Sequence, residues 1–249
     1  MMLTGENISL QPLGKGKEIY VSKNHTFGTD AVLLSHFADP KKNDKAVDLG
    51  TGCGIIPALW LRDGAVRNAV GLEISGEAVA LAEKTIEKNG WQSQMQVLEG
   101  DIKNPFERLE KGVYNLVACN PPYKASGAGI LSKSQTDKGA RHETLCDLRD
   151  VIAAAAGLLT FGGSFAMCQR PERLGEIISL MTEYKIEPKV LRLVCKKEGC
   201  EPWLILIKGR LGGGKGMRVL PNLNVYNSDG TLTFQMREIY GPYKSAEQG

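Results

Sequence analysis

Short apolar runs alternate with longer stretches of helical periodicity through the middle of the 249-residue chain. Short apolar runs suit buried strands, and apolar positions three or four residues apart suit amphipathic helices. The strands predicted in this region are 46–49, 69–72, 94–98, 114–119 and 163–169. The helices predicted around them are 55–62, 76–89, 144–158 and 171–184. This alternation favours an α/β fold, with a mostly parallel sheet covered by helices on both faces.

Two other patterns flank this alternating region. Residues 7–22 alternate loosely around a Gly-Lys-Gly turn and predict a β-hairpin, and residues 29–38 predict a helix. Toward the other end, residues 189–194 and 203–208 predict an antiparallel strand pair, which brings the predicted sheet to seven strands. Residues 209–216 are expected to form a flexible loop because glycine is frequent there.

These patterns describe one domain with short additions at both ends, as the chain length allows. We expect residues 1–40 to form a hairpin and a helix that pack on the core. Residues 41–210 would form the main, ligand-binding domain. Residues 211–249 would form a glycine-rich loop and a basic tail that belong to the same domain.

The charge of the chain is unevenly distributed. The net charge is only +3, but residues 185–249 contain eleven Lys and Arg against six Asp and Glu, an excess of +5. A basic C-terminal region is compatible with a nucleic acid partner, and equally with a solvated basic surface. Charge alone therefore leaves both interpretations open.

Neither membrane insertion nor secretion is expected from the sequence. The longest uncharged stretch, residues 151–168, is interrupted by glycines and is too short to span a bilayer. The first ten residues lack a basic segment followed by an apolar one, so we expect no secretion signal. We therefore expect a cytoplasmic protein.

The cysteines and histidines do not form a metal-binding pattern. The chain has six cysteines with no Cys-x-x-Cys pair, and three histidines without ligand spacing. Scattered cysteines of this kind are typical of a reduced protein. We expect no bound metal, and the sequence leaves a monomer or a homodimer open.

The stretch "AVDLGTGCGI" places Gly50, Gly52 and Gly54 directly after a predicted strand and before a predicted helix. Glycines at such a turn let a ligand approach the backbone, and the helix start offers free N–H groups. The spacing differs from the dinucleotide fingerprint G-x-G-x-x-G, because position 55 is Ile55. No Walker lysine follows, so neither NAD nor ATP is favoured.

Acidic residues stand beside the glycines and at the next two strand ends. Asp48 is placed to meet an ammonium group, Glu73 to bind both hydroxyls of a ribose, and Asp101 to reach an adenine amine. Together they suit S-adenosylmethionine, a cationic nucleoside with an amino-acid tail. The predicted cofactor-binding residues are Thr29, Asp30, Asp48, Gly50, Thr51, Gly52, Cys53, Gly54, Glu73, Ile74, Asp101, Ile102 and Asn120.

The motifs "VDLGTGCGI", "GLE", "GDI" and "NPPY", in this order, resemble class I S-adenosylmethionine-dependent methyltransferases over roughly residues 25–208. More narrowly, "TFGTDAVLLSHFA", "ACNPPY" and "ARHETLCDL" are similar to the bacterial tRNA1(Val) adenine-N6-methyltransferase family. The tail "KKEGCEPWLILIKG" is similar to the Gram-positive branch of that family. The resemblance implies a Rossmann-like fold, S-adenosylmethionine as cofactor, and a target adenosine just 3′ of the anticodon.

The stretch "VACNPPY" ends a predicted strand in a rigid turn, because proline cannot continue a sheet ladder. We interpret Asn120, Pro121, Pro122 and Tyr123 as the catalytic residues. The side-chain oxygen of Asn120 and the carbonyl of Pro121 would each accept a hydrogen bond from one N–H group of the target amine. The prolines would fix those directions, and Tyr123 would stack on the base.

Basic residues outside this motif are the predicted contacts with RNA. Residues 124–142 are polar and glycine-bearing, and we interpret them as a lid on the substrate side. Phosphate contacts, whose binding should weaken steeply with salt, would come from Lys196, Lys197, Lys208, Arg210, Lys215 and Arg218. The predicted substrate-binding residues are Tyr123, Lys124, Arg141, His142, Lys196 and Lys197.

Other functions share the Asn-Pro-Pro-Tyr motif. Methyltransferases that act on a glutamine side chain of a release factor, or on adenine N6 of DNA, face the same problem of a weakly nucleophilic amine or amide. The basic C-terminal region speaks against the protein substrate. A non-catalytic nucleotide-binding scaffold is disfavoured, because it would not need a pair of acceptors at a strand end.

Overall fold

The computed structural model describes residues 8–123 and 146–241 of the chain. Its strands are β1 Ser9–Gly14, β2 Lys17–Val21, β3 Lys45–Leu49, β4 Asn68–Glu73, β5 Met95–Glu99, β6 Tyr114–Cys119, β7 Leu159–Gln169, β8 Ile186–Cys195, β9 Pro202–Leu211, β10 Arg218–Val219 and β11 Leu223–Asn224. Its helices are α1 Thr29–Phe37, α2 Ile55–Arg62, α3 Gly76–Asn89, α4 Leu148–Leu158, α5 Leu174–Glu183 and α6 Phe234–Tyr240. Within the two described ranges, every helix is too short or too polar to traverse a lipid bilayer.

One mixed sheet of nine strands forms the centre of the molecule, in the order β10-β8-β9-β7-β6-β3-β4-β5, with β11 also paired to β8. β9 runs antiparallel to both of its neighbours, and the other long strands pair in parallel. The seven long strands are those predicted, which confirms the mostly parallel sheet with an antiparallel C-terminal pair. β10 and β11 add only two residues each along the outer edge of β8.

The sheet is buried on both faces, which explains why its central strands are continuous apolar runs. On β6, Leu116 and Ala118 pack with the hairpin, α1, α2, α3 and α6. Val117 and Cys119 point the other way and pack with α4 and α5. The core therefore consists of two apolar layers separated by the sheet.

The chain leaves β3 toward β4 on one side and later returns to β6 on the other side. Neighbouring strands whose connections run in opposite directions leave a crevice at their carboxyl ends, where open α/β sheets bind ligands. The residues that follow β3 and β6 therefore face a common cleft.

The N-terminal hairpin packs against α3 through polar side chains. Nδ2 of Asn89 donates to the carbonyl of Glu18 at 2.7 Å, and Oδ1 of Asn89 accepts from the Glu18 amide at 3.1 Å. The amide of Tyr20 donates to Oγ1 of Thr85 at 3.0 Å. These bonds satisfy backbone groups at the edge of β2, which would otherwise lack partners.

The prediction of a flexible loop over residues 209–216 is wrong for its first three residues. β9 continues to Leu211, so its last three residues lie in what was expected to be loop. Gly209 is buried there, and a side chain would not fit, because a Cβ would lie 2.3 Å from Cε of Met181 and 2.7 Å from Cγ2 of Ile186. Glycine serves close packing at this position, rather than chain flexibility.

Other boundaries differ where local signals compete with tertiary packing. β7 begins at Leu159, immediately after α4 and ahead of the predicted 163–169. The helix predicted over 171–184 is a single 3₁₀ turn, Pro171–Arg173, followed by α5. The predicted helix start at residue 144 lies outside the described residues, and α4 is described from Leu148.

Helix α6 was not predicted. It has only seven residues and is capped by Thr233, whose Oγ1 accepts from the amide of Met236 at 3.3 Å. Met236, Ile239 and Tyr240 are buried against the face of the sheet that carries α1. A segment this short has too few turns for a clear apolar periodicity, so packing decides that it is helical.

Candidate active site at the carboxyl edge of the sheet

The glycine turn after β3 is hydrogen-bonded to β4. The amides of Gly50 and Thr51 both donate to the carbonyl of Leu72, at 2.8 and 3.1 Å. Gly50, Gly52 and Gly54 have φ values of 69°, 56° and 84°, which L side chains rarely adopt. These conformations let the chain turn sharply from β3 into α2.

The three glycines of this turn have different surroundings. A Cβ on Gly52 would meet nothing within 4 Å, and one on Gly50 would only touch Ile102 at 3.6 Å. A Cβ on Gly54 would lie 2.8 Å from Cε of Met95, inside the core. Gly50 and Gly52 therefore leave the backbone open to a ligand, whereas Gly54 serves helix packing.

Glu73 ends β4 with its carboxylate held in one orientation. Oε2 accepts from the amide of Gly52 at 2.8 Å, and Oε1 accepts from the amide of Ser75 at 2.9 Å. A carboxylate offers about four acceptor sites, so each oxygen keeps capacity for a further donor. The side chain is half-buried and lines the cleft.

Asp48 is a buried carboxyl group whose hydrogen-bonding capacity is unused. It is 1% exposed, and neither of its oxygens has a hydrogen-bond partner among the described residues. Burial raises the pKa of Asp48 to about 8; the neighbouring Thr51 hydroxyl opposes this effect, and the charge of Glu73 adds to it. A cation placed beside it would stabilise the charged form.

A cleft of about 220 Å³ brings many of the predicted site residues together. The predicted residues that line it are Gly50, Glu73, Ile74, Asp101, Ile102, Asn120, Pro121 and Pro122. Its remaining lining residues, which sequence reasoning missed, are Leu49, Cys119, Cys146 and Val151. These are apolar positions or cysteines at strand and helix ends, where the sequence gives no sign that they face a ligand.

The side-chain oxygen of Asn120 has two potential donors within hydrogen-bond distance. It accepts from Sγ of Cys168 at 3.0 Å and from the hydroxyl of Tyr123 at 3.2 Å. The same hydroxyl donates to the carboxylate of Asp30. Because a hydroxyl has one proton and bonds to ionised acceptors are stronger, the proton of Tyr123 points mainly at Asp30. Oδ1 of Asn120 therefore keeps acceptor capacity for another amine.

The ring of Tyr123 is covered on one side by a cation. The guanidinium of Arg170 lies 4.7 Å from its ring centroid and 5.8 Å from that of Trp203. Nη1 of Arg170 also donates to the carbonyl of Trp203 at 2.9 Å. Arg170 was not predicted as a site residue, and only its position after β7 could have indicated one. The stacking role of Tyr123 stays a prediction.

The structure does not bring every predicted cofactor residue into the lining of the cleft; those outside the lining are Thr29, Asp30, Asp48, Thr51, Gly52, Cys53 and Gly54. Oγ1 of Thr29 shares a hydrogen bond of 2.8 Å with the hydroxyl of Tyr240. Thr51 is buried and packs against Gly71 of β4. Cys53 is buried, and burial raises the pKa of its thiol to about 12, so it stays protonated near neutral pH.

The predicted RNA contacts are only partly described. Lys124, Arg141 and His142 lie outside the described residues. Lys196 and Lys197 are exposed in the connection from β8 to β9. Since β8 is parallel to β7, this connection is at the same edge of the sheet as Asn120. Among the described residues, no group of three or more metal-capable side chains converges.

The sheet order, the glycine turn and the cleft at the switch point define a Rossmann-like methyltransferase fold. Solved structures share it. A predicted O-methyltransferase from Agrobacterium tumefaciens matches with a TM-score of 0.70 at 19% identity, covering 86% of this chain and 97% of its own. A geranyl diphosphate methyltransferase in complex with SAM matches with a TM-score of 0.54 at 14% identity, covering 73% and 84%.

Sequence comparison shows the family. The sequence model of the methyltransferase small domain matches residues 16–172, and the chain belongs to this family. A tRNA1(Val) (adenine(37)-N6)-methyltransferase from Aeromonas salmonicida is 26% identical over 220 residues, 87% of this chain and 89% of the relative. The protein of the same name from Bacteroides fragilis is 25% identical over 180 residues, 72% of this chain and 75% of its own.

Proposed function

We propose that this chain transfers a methyl group from S-adenosylmethionine to the N6 amine of an adenine in tRNA, next to the anticodon. One observation carries the proposal. The fixed acceptor oxygen of Asn120 lies in the same cleft as the open glycine turn and the strand-end acids Glu73 and Asp101. Relatives that match most of this chain are named for adenine N6 methylation of tRNA.

The residues around the cleft fit the proposed cofactor. Gly50 and Gly52 let it approach the backbone, and Glu73 has acceptor capacity for the ribose hydroxyls. Asp101 would accept from the adenine amine. The unpartnered carboxyl group of Asp48 suits the ammonium group of the amino-acid tail. When bound, the cofactor supplies an electrophilic methyl group on a sulfonium centre.

The chain's own residues would activate the acceptor amine. An exocyclic amine is a poor nucleophile because its lone pair is delocalised into the ring. Oδ1 of Asn120 and the carbonyl of Pro121 would accept hydrogen bonds from its two N–H groups, which favours a pyramidal nitrogen whose lone pair is localised and can be aligned with the methyl carbon. Pro121 and Pro122 keep these directions fixed, so little reorganisation remains during transfer. The amine proton leaves to solvent after transfer.

The target base must leave its stack to reach this cleft. Extruding a base costs a few kcal/mol in a duplex and less in a loop, which favours an anticodon loop as substrate. The ring of Tyr123 would stack on the base, a contribution of about 1–3 kcal/mol in other single-strand binders. Arg170 would support that ring from its other side.

Several features support tRNA as the substrate class. Residues 185–249 have a charge excess of +5, and Lys196 and Lys197 are exposed at the edge that carries the cleft. We also propose Lys124, Arg141 and His142 as substrate contacts, from the sequence.

Residues 41–210 would form the catalytic domain, with residues 1–40 and 211–249 packed onto it. The reaction would take place in the cytoplasm, since free cysteines suit a reducing compartment.

Transfer of label from S-adenosylmethionine tests the proposal. The purified protein is incubated with labelled cofactor and, separately, tRNA lacking N6-methyladenosine, duplex DNA and a bacterial release factor. Label in tRNA that is recovered as N6-methyladenosine is the expected result. Label in DNA or in the release factor alone would replace the proposal with one of the two alternatives, and no label in any of them would contradict methyl transfer to these substrates.

A further inference from the structure

A second concave surface lies on the edge of the sheet opposite the catalytic cleft. This groove, of about 560 Å³, is formed by the ends of α1 and α2, by α6, and by strands β8, β9 and β10. α2 starts at the glycine turn and runs back along the sheet, so its last residue, Arg62, is at the amino edge. The groove is therefore separate from the site around Asn120.

Three basic residues line this groove from neighbouring strands. The strand register places Arg218 beside Val190, and Val190 beside Lys208. Residues opposite each other in paired strands point to the same face, and so does Arg192, two residues after Val190. The sheet therefore directs Arg192, Lys208 and Arg218 to one side.

None of these three side chains forms an ion pair in the described part of the chain, although the charge of Asp39 acts on Lys208 from a longer distance. Asp63 lines the groove but is paired with Lys15 at 2.8 Å and with Arg62 at 2.6 Å. Asp39 also lines it and is paired with Lys41 at 2.7 Å. The remaining acid of the lining is the exposed Glu238. One acid against three unpaired cations leaves the groove positively charged.

Burial makes this charge costly without an anion. Desolvation lowers the pKa of Lys208 and of Arg192. The guanidinium of Arg192 is held by the carbonyl of Pro221 at 3.1 Å and by Oε1 of Gln235 at 2.9 Å. Arg192 is therefore oriented before any ligand arrives. Preorientation of this kind suits recognition of a phosphate group.

We propose that this groove binds backbone phosphate of the tRNA, away from the base that is methylated. This inference rests on the proposed function. Trp203, which contacts Arg170 beside Tyr123, is five residues before Lys208 on β9, or about 17 Å along the strand. Duplex RNA with a rise of about 3 Å per pair covers that length in about six base pairs. A polyanion held at the cleft would therefore be long enough to reach the groove.

Charge-removing substitutions test this proposal. Arg218→Gln changes an exposed side chain, and Lys208→Gln changes one that also donates to the carbonyl of Ala38. Matched controls are Lys84→Gln, an exposed cation on α3, and Lys111→Gln, an exposed cation over Phe106 on the α4 side of the sheet. The affinity of each protein for tRNA is measured by filter binding between low and high salt, beside thermal unfolding.

Loss of a phosphate contact should weaken tRNA binding by about three- to tenfold at low salt. It should also lower the slope of log K against log salt by about one. The rate at saturating tRNA and the affinity for S-adenosylmethionine should match wild type. Arg218→Gln alone carries the test if Lys208→Gln lowers the unfolding midpoint.

Three outcomes would overturn the proposal. In the first, Arg218→Gln binds tRNA as the control variants do. In the second, inorganic phosphate or a free nucleotide binds wild type but not the variant, while tRNA affinity is unchanged. In the third, the control variants lose as much affinity for tRNA as Arg218→Gln does. Failure of the proposed function looks different, because wild type itself would then not methylate tRNA.

Discussion

The thiol of Cys168, in β7, donates a hydrogen bond to Oδ1 of Asn120, with 3.0 Å between sulfur and oxygen. Burial raises the pKa of this thiol, so it stays protonated and remains a donor. The bond fixes which end of the Asn120 amide is oxygen and where that oxygen points. A residue on the neighbouring strand therefore positions the proposed acceptor.

Removing the Cys168 thiol should impair turnover without weakening cofactor binding. A hydrogen bond of this kind contributes about 0.5–1.5 kcal/mol, so Cys168→Ala should lower kcat by about two- to tenfold. Cys168→Ser keeps a donor and should recover most of the rate. Cys195→Ala, a change of another buried cysteine, is the control. Wild-type kcat in Cys168→Ala would show that the bond has no positioning role.

Asn120→Ala should abolish most turnover and leave cofactor affinity within about twofold of wild type. The loss of one preorganised polar group at a reacting centre costs about a hundred- to a thousandfold in kcat. Asn120→Asp should keep partial activity, because an acceptor oxygen remains. Calorimetry with S-adenosylmethionine and single-turnover rates separate the two effects. An equal loss of binding and rate would refute a role on the amine.

Tyr123→Ala should lower kcat/KM for tRNA by roughly 5- to 150-fold, which corresponds to the 1–3 kcal/mol of a stacked base. Tyr123→Phe keeps the ring and loses only the hydroxyl that donates to Asp30. Its effect should therefore be smaller than that of the alanine variant. Steady-state kinetics over a range of tRNA concentrations checks this. If both variants lose the same amount, the hydroxyl matters rather than the ring.

Asp48 should make the cofactor-free protein less stable as pH rises. Its folded pKa of about 8 lies above the ordinary value of 3.8, so the folded state holds a proton that the unfolded state loses. Its stabilising contribution is complete below about pH 4 and is lost progressively toward pH 8. Between pH 5 and 9, the unfolding midpoint of wild type should fall relative to that of Asp48→Asn. Parallel midpoint curves for the two proteins would contradict the raised pKa.

Two glycine substitutions in the same turn should differ in their effects on stability and on cofactor binding. Gly52→Ala has free space and should cost only the backbone strain of about 1–2 kcal/mol, but it should weaken cofactor binding. Gly54→Ala adds a contact of 2.8 Å with Met95 and should lower stability further. Chemical denaturation and calorimetry measure the two effects. Equal destabilisation by both changes would show that Gly54 has no special packing role.

The long elements of this protein follow from local sequence. Apolar runs such as 114–119 predict strands because both faces of each are buried, and the intervening periodic stretches predict helices. The glycines after β3 and the prolines after β6 predict the turns, because their backbone requirements are local. The motif Asn-Pro-Pro-Tyr indicates methyl transfer to an amine, because its acceptor groups and its rigid turn are adjacent in the sequence.

Tertiary structure alone decided which side chains meet. Cys168 donates to Asn120, and Tyr123 donates to Asp30; these bonds join residues from three distant segments, and no local pattern encodes them. The packing role of Gly54, the strand conformation of Gly209 and the charged groove likewise depend on neighbours supplied by other strands and helices. Sequence by itself determined the order of elements and the candidate chemistry, because these rest on local backbone preferences. Which groups are buried, paired or left charged was set only when distant segments packed together.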